Sequence, residues 1–173
     1  MLDLPTKLSL ELQNKCLNKN LTLACAESCT GGMLSSFLTK HSGASKYFKF
    51  GLVTYSNFAK HQFLNIDYEL LAKVGAVSEE VAIIMATNCR AAAQTDISAS
   101  ITGIAGPESD GNIHDVGLVY IGISCKNITY AKKIHLLGSR EDIRIASCVK
   151  ALELLIETVN TISKSLEYKK HEW

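Results

Sequence analysis

The chain has 173 residues, 47% of them apolar and 20% charged, with only 2 prolines and 11 glycines. This excludes a disordered, collagen-like or linker-rich chain and is enough to bury a core in one domain of ordinary size. Eighteen basic residues against seventeen acidic ones leave a formal net charge of +1, which gives no electrostatic ground for a nucleic acid or an anionic membrane as partner.

In chain order, residues 6–19 predict a helix, with Leu8, Leu12 and Cys16 stacked four apart. LTLACA (21–26) is a short apolar run ending in a polar and glycine cluster, the pattern of a buried strand. GGMLSSFLTK (31–40) then carries Met33, Leu34, Phe37 and Leu38 on a helical stripe. FGLVTYS (50–56) reads as a second strand, closed by Tyr55, with a short helix from about Asn57. Ser78 followed by Glu79 and Glu80 opens a helix whose stripe is Val81, Met85, Cys89 and Ala92. DISASITG (96–103) is a further buried strand, again ending in glycine. VGLVYIGIS (116–124) and NITYAKKIHLL (127–137) predict an antiparallel hairpin. Ser139 and Asp142 form a capping pattern for a last long helix, and the closing EYKKHEW is polar and expected to fray. The order of elements predicts a three-layer α/β/α sandwich around a mixed, mainly parallel sheet with one antiparallel hairpin.

The first fifteen residues show no basic n-region, no unbroken apolar h-region and no small-residue cleavage site, and no apolar run reaches the roughly 20 residues of a membrane span. The expectation is a cytoplasmic chain with reduced thiols and no membrane partner. The cysteines at 16, 25, 29, 89, 125 and 148 include no C-x-x-C pair, which removes the usual signature of a zinc ribbon or a dithiol redox site. Most are expected to be small buried hydrophobes.

Two segments share one design. Ala26-Glu27-Ser28-Cys29-Thr30-Gly31-Gly32 follows one buried strand, and Thr102-Gly103-Ile104-Ala105-Gly106-Pro107 follows another. In open α/β sheets ligands bind beyond the carboxyl ends of the strands, and glycines there let backbone N–H groups approach an anion or oxyanion. The same pattern also fits tight strand-to-helix turns with no ligand. No P-loop, dinucleotide turn or G-x-S-x-G elbow is present. One formal S-x-x-K match, Ser147 to Lys150, falls inside a helix and is read as chance.

Ser28, Tyr55 and Lys60 form the more informative group. A serine becomes nucleophilic beside a base, and a lysine held partly neutral can be that base. The first turn of a helix disfavours a protonated lysine. Only spatial proximity would join the three, since an edge tyrosine and a surface lysine are individually ordinary.

Taken together, AESCTGG (26–32), GLVTYSNFAK (51–60), GAVSEEVA (75–82), TGIAGP (102–107) and SREDIR (139–144) resemble, in order and spacing, the CinA C-terminal domain family. The active members of that family are nicotinamide-nucleotide amidases, and the resemblance runs from about residue 6 to about residue 160. It implies a single amidase domain over 1–165 with a polar tail over 166–173, of the stand-alone form without the molybdopterin-binding-like domain of longer relatives. It implies that nicotinamide mononucleotide is hydrolysed to nicotinic acid mononucleotide and ammonia. Ser28 would be the nucleophile and Lys60, assisted by Tyr55, the proton carrier. Substrate contacts are expected from Glu27, Thr30, Gly31, Gly32, Asn57, Thr102, Gly103, Gly106, Arg140 and Arg144. The backbone N–H groups of Thr30, Gly31 and Gly32 are candidate oxyanion donors, and Arg140 or Arg144 candidate phosphate ligands. No cofactor or metal is implied; the partners expected are a pyridine nucleotide and further copies of the chain, as a homodimer or higher homo-oligomer. A non-hydrolytic nucleotide-binding or regulatory module is the alternative. The chain departs from the family at residues 108–115, where a glycine-rich stretch ending in Lys-Pro is replaced by a segment ending in His114-Asp115.

Overall fold

The structure, a computed structural model, describes residues 3–109 and 115–162. Asp3 accepts a hydrogen bond from the Thr6 N–H at 2.9 Å and so caps α1, Leu4–Lys19, whose Leu12 and Cys16 are buried. The strand β1, Leu23–Glu27, is buried at every position. After it come α2 (Met33–Leu38), a single 3-10 turn at Ala44–Lys46, and β2 (Phe48–Val53). The helices α3 (Asn57–Leu64), α4 (Tyr68–Val74) and α5 (Glu79–Ala93) lead to β3 (Ile97–Gly103). The chain then forms β4 (Leu118–Cys125), β5 (Thr129–His135) and the long α6 (Arg140–Thr161). Ser139 and Asp142 cap α6 reciprocally, as their spacing predicts.

The five strands form one sheet in the order β2-β1-β3-β4-β5. The pairings of β1 with β2 and β3 are parallel, and those of β4 with β3 and β5 are antiparallel. The sheet is therefore mixed, with a parallel half at the β2 edge and the expected hairpin at the other. Because β1 is buried on both faces, alternate residues enter different cores. Leu23 and Cys25 pack with Leu12, Leu34 and Leu152, from α1, α2 and α6. Ala24 and Ala26 pack with Leu64, Leu71 and Met85, from α3, α4 and α5. The three layers follow from this alternation.

All six cysteines are free and buried, in agreement with their reading as core residues. Three local expectations are corrected. The strand β2 ends at Val53, so Tyr55 lies beyond it. Thr54 N–H still donates to the Glu27 carbonyl at 2.8 Å, but Ser56 leaves the ladder to cap α3 by accepting from Ala59 N–H. In α5, Ala92 is exposed and Ala93 packs against the core, because a stripe through residues 81, 85 and 89 continues at 93. Finally, α4 is an additional helix; its one fully buried side chain, Leu71, leaves almost no periodic signal. Asp110–His114 and the C-terminal tail lie outside the described residues. Among those described, no helix is long and apolar enough to cross a membrane.

Candidate active site

The parallel half of the sheet sends three loops from its carboxyl edge, and the candidate residues stand on them. Ser28 follows the last residue of β1, and its N–H extends the ladder by donating to the Ile101 carbonyl at 2.9 Å. Tyr55 stands two residues after β2, and Gly103 closes β3. β1 is connected forward to β2 on one side and lies beside β3 on the other, so the crevice opens where the connections diverge. A cleft of about 510 Å³ occupies it, lined by Ser28, Cys29, Tyr55, Arg140 and the segment 103–109.

Beside this cleft the structure brings Ser28 and Lys60 together. The Lys60 Nζ lies 3.0 Å from the Ser28 Oγ and donates to the Thr54 carbonyl at 2.8 Å. Lys60 is only 2% exposed. Burial, which penalises the charged ammonium, pushes its pKa down from 10.5 to about 8. Desolvation, rather than the helix N-terminus to which the sequence points, is the cause. The Thr54 carbonyl, which sequence reasoning missed, orients the amine: a neutral lysine can donate to it while turning its lone pair to the serine hydroxyl.

Tyr55 stands apart from this pair. It is 59% exposed, and its hydroxyl accepts from Arg140 Nη2 at 2.8 Å, with no hydrogen bond to Ser28 or Lys60. Arg140 Nη1 donates to the Gly106 carbonyl at 2.6 Å, so one guanidinium joins two walls of the cleft. Gly106 has a φ of 79°, and a Cβ there would meet Val116 Cγ1 at 2.6 Å, which reserves the position for glycine.

The other expected residues separate into cleft and scaffold. Gly103 and Gly106 line the cleft. Glu27 does not: its carboxylate is fully buried and accepts from the N–H groups of Gly32, Leu34 and Ser35 and from the Ser35 hydroxyl, at 2.7–3.0 Å. A negative charge at the start of α2 is stabilised by these donors and by the helix dipole. Gly31 N–H donates to the Ser28 carbonyl at 3.0 Å, so neither glycine N–H is available to an oxyanion. The donors of this loop left without an acceptor outside their own residue, among the described residues, are the N–H groups of Cys29, which lines the cleft, and Thr30, which is fully buried beside it. Thr102 spends its hydroxyl on the Ala76 carbonyl at 2.7 Å. Asn57 is the exposed first residue of α3 and lies outside the cleft lining. Arg144 turns toward the serine loop, donating from Nε to the Cys29 carbonyl at 3.2 Å and from Nη2 to the Thr30 carbonyl at 2.8 Å.

Cys29 borders the cleft at 6% exposure, and burial pushes its thiol up to about 11, so the reactive thiolate is disfavoured. The S-x-x-K match is structural: Ser147 donates to the Ile143 carbonyl, and Lys150 pairs with Glu153. Among the described residues, no three His, Cys, Asp or Glu side chains are grouped to hold a metal ion.

A desolvated serine–lysine pair thus lies at the carboxyl edge of the parallel half of the sheet, beside the strand-end crevice of an α/β domain. Residues 5–159 match the family model described as CinA C-terminal domain, and the chain belongs to that family. A protein of Moorella thermoacetica that carries a competence-damage inducible name is 49% identical over 137 residues, covering 79% of this chain and 33% of its own length. A CinA-like protein of Syntrophomonas wolfei is 45% identical over 138 residues, covering 80% and 33%. The chain thus spans about one third of the length of these curated relatives. The crystal structure of the competence damage-inducible protein A from Klebsiella pneumoniae superposes with a TM-score of 0.89 at 29% identity, covering 92% of this chain and 99% of that one. The competence/damage inducible protein from Agrobacterium tumefaciens gives a TM-score of 0.88 at 31% identity, covering 93% and 98%.

Proposed function

We propose that the chain is an amidohydrolase that converts nicotinamide mononucleotide to nicotinic acid mononucleotide and ammonia. The observation that carries this reading is the 3.0 Å approach of a desolvated Lys60 amine to the Ser28 hydroxyl. The neutral amine accepts the Ser28 proton as Oγ bonds to the carboxamide carbon, and the carbonyl electrons move onto oxygen. When the tetrahedral intermediate collapses, the C–N bond breaks and the Lys60 proton leaves with the nitrogen as ammonia. Water, deprotonated by the same amine, then attacks the acyl-serine, and the proton returns to Ser28 Oγ. Tyr55 and Arg140 border the cleft on the side of Gly106, where an anionic group of the substrate has a guanidinium to meet.

The test is ammonia release from nicotinamide mononucleotide by purified protein, with Ser28→Ala as control. Release that depends on Ser28 supports the reading; none between neutral and mildly alkaline pH sinks it. Calorimetric binding of the nucleotide without ammonia would favour the non-hydrolytic binding module instead.

A further inference from the structure

We infer that Arg144 is a positioning residue which, with Glu27 acting from the other side, sets the direction of the backbone donors next to Ser28. The inference rests on the reading of Ser28 as nucleophile. Three peptide groups of the serine loop are held by their oxygens. The Ser28 carbonyl accepts from Gly31 N–H, and the Cys29 and Thr30 carbonyls accept from Arg144. In a planar trans peptide the C=O of one residue and the N–H of the next point in opposite directions. Holding the Ser28 oxygen through Gly31 N–H therefore aims the Cys29 N–H away from Gly31, and holding the Cys29 oxygen through Arg144 aims the Thr30 N–H away from the guanidinium.

The far end of the loop is fixed by the buried Glu27 carboxylate, which takes the N–H groups of Gly32, Leu34 and Ser35. Between the two clamps only the Cys29 and Thr30 N–H groups lack an acceptor outside their own residue among the described residues. The N–H of the residue after a nucleophilic serine is a recurring oxyanion donor. Such donors act by being oriented before charge develops. Arg144 touches no cleft-lining side chain through its guanidinium; it acts through the two carbonyls, with its remaining nitrogen on Glu141 at 2.8 Å. The sequence expectation of a phosphate ligand gives way here to a brace.

The experiment compares wild type with Arg144→Met and Arg144→Lys, with the unfolding midpoint measured for each. Two readouts are taken: the kinetics of ammonia release, and affinity for pyridine-3-boronic acid. In the boronate adduct Ser28 Oγ bonds to boron, the serine proton passes to Lys60, and boron becomes a tetrahedral anion with an oxygen where the oxyanion would form. Loss of donor alignment is expected to lower kcat by about ten- to hundredfold in Arg144→Met, with KM within about twofold. Boronate affinity should fall in proportion to kcat. Arg144→Lys, able to hold one carbonyl, should recover part of both. If Arg144→Met fails to fold, Arg144→Lys and Arg144→Gln carry the same comparison.

Unchanged kcat and boronate affinity in a folded variant would overturn the inference. So would a rise in KM at constant kcat, which marks a substrate ligand. Wild-type protein that neither releases ammonia nor binds the boronate would defeat the nucleophile reading and take this inference with it. Retained wild-type activity with an indifferent Arg144 defeats this inference alone.

Discussion

The hydroxyl of Tyr55 and the guanidinium of Arg140, 85 residues apart in the chain, meet at 2.8 Å on the cleft that both of them line. Arg140 also holds the Gly106 carbonyl, so an anion that draws the guanidinium inward must compete with two standing hydrogen bonds. Tyr55→Phe and Arg140→Ala are expected to be non-additive in kcat/KM. The coupling should be about 0.5–1 kcal/mol, the range of an exposed charge-assisted contact. A double-mutant cycle measures it, and strict additivity would mean that the contact has no part in turnover.

Activity should rise with pH. Lys60 accepts a proton only when neutral, and burial places its pKa at about 8, so kcat/KM is expected to climb through an acid limb near that value. Lys60→Arg, which stays charged, should leave no measurable activity at any pH up to 10. A limb that stays near 8 when Lys60 is replaced would assign it to another group.

The same burial makes Lys60 unfavourable for folding. Its folded pKa of about 8 lies below the unfolded value of 10.5, so between those values the unfolded chain binds more protons. Stability therefore rises with pH across that window, and below about 8 the whole penalty is present. The difference of about 2.5 units corresponds to on the order of 3 kcal/mol. Lys60→Met leaves the Thr54 carbonyl without its donor, at a cost of about 1 kcal/mol. The variant should be about 1–2 kcal/mol more stable than wild type at pH 7 and should lose that advantage by pH 10. Urea midpoints at the two pH values check it; an equal difference at both would remove desolvation as the cause.

Glu27→Ala is expected to destabilise the fold by about 3 kcal/mol or more, because it leaves three N–H groups of the α2 start without an acceptor. Substrate binding should weaken only through loss of the fold. A well-folded Glu27→Ala variant with normal stability and a raised KM would instead restore Glu27 to the substrate.

The thiols should be inert. All six are buried, and burial raises Cys29 to about 11 and Cys16 and Cys89 to about 12. Iodoacetamide at pH 7.5 is expected to modify none of them within an hour in native protein and all six in denaturant. Rapid native labelling of Cys29 would show that the cleft opens more widely than its 6% exposure implies.

The elements most legible in the sequence were those with strong local chemistry. Ser139 and Asp142 announce the start of α6 by reciprocal capping, and the nearly all-apolar LTLACA run announces a buried strand. The pairing of Ser28 with Lys60 was suggested by residue types and loop positions, but its distance depends on how β1 and β2 align, which no local pattern encodes. What stayed hidden were roles set by three-dimensional neighbours. Glu27 and Arg144 look like ligands in a motif, yet their partners are backbone groups inside the scaffold. Nor does any spacing reveal that the Thr54 carbonyl orients Lys60. Residue 71 alone could not announce α4.

Glu27 and Ser28 are chain neighbours that face opposite ways from the sheet: one turns to α2, the other to Lys60 on α3. A carboxyl group thus sits one residue from the proposed nucleophile, on the opposite face of the sheet. Insertion or deletion of a single residue within β1 would exchange their directions, setting the carboxylate against Lys60 and the hydroxyl against the bare start of α2. A side-chain change along this buried strand costs packing at one position, whereas a change in its length would undo the proposed chemistry and the α2 cap together.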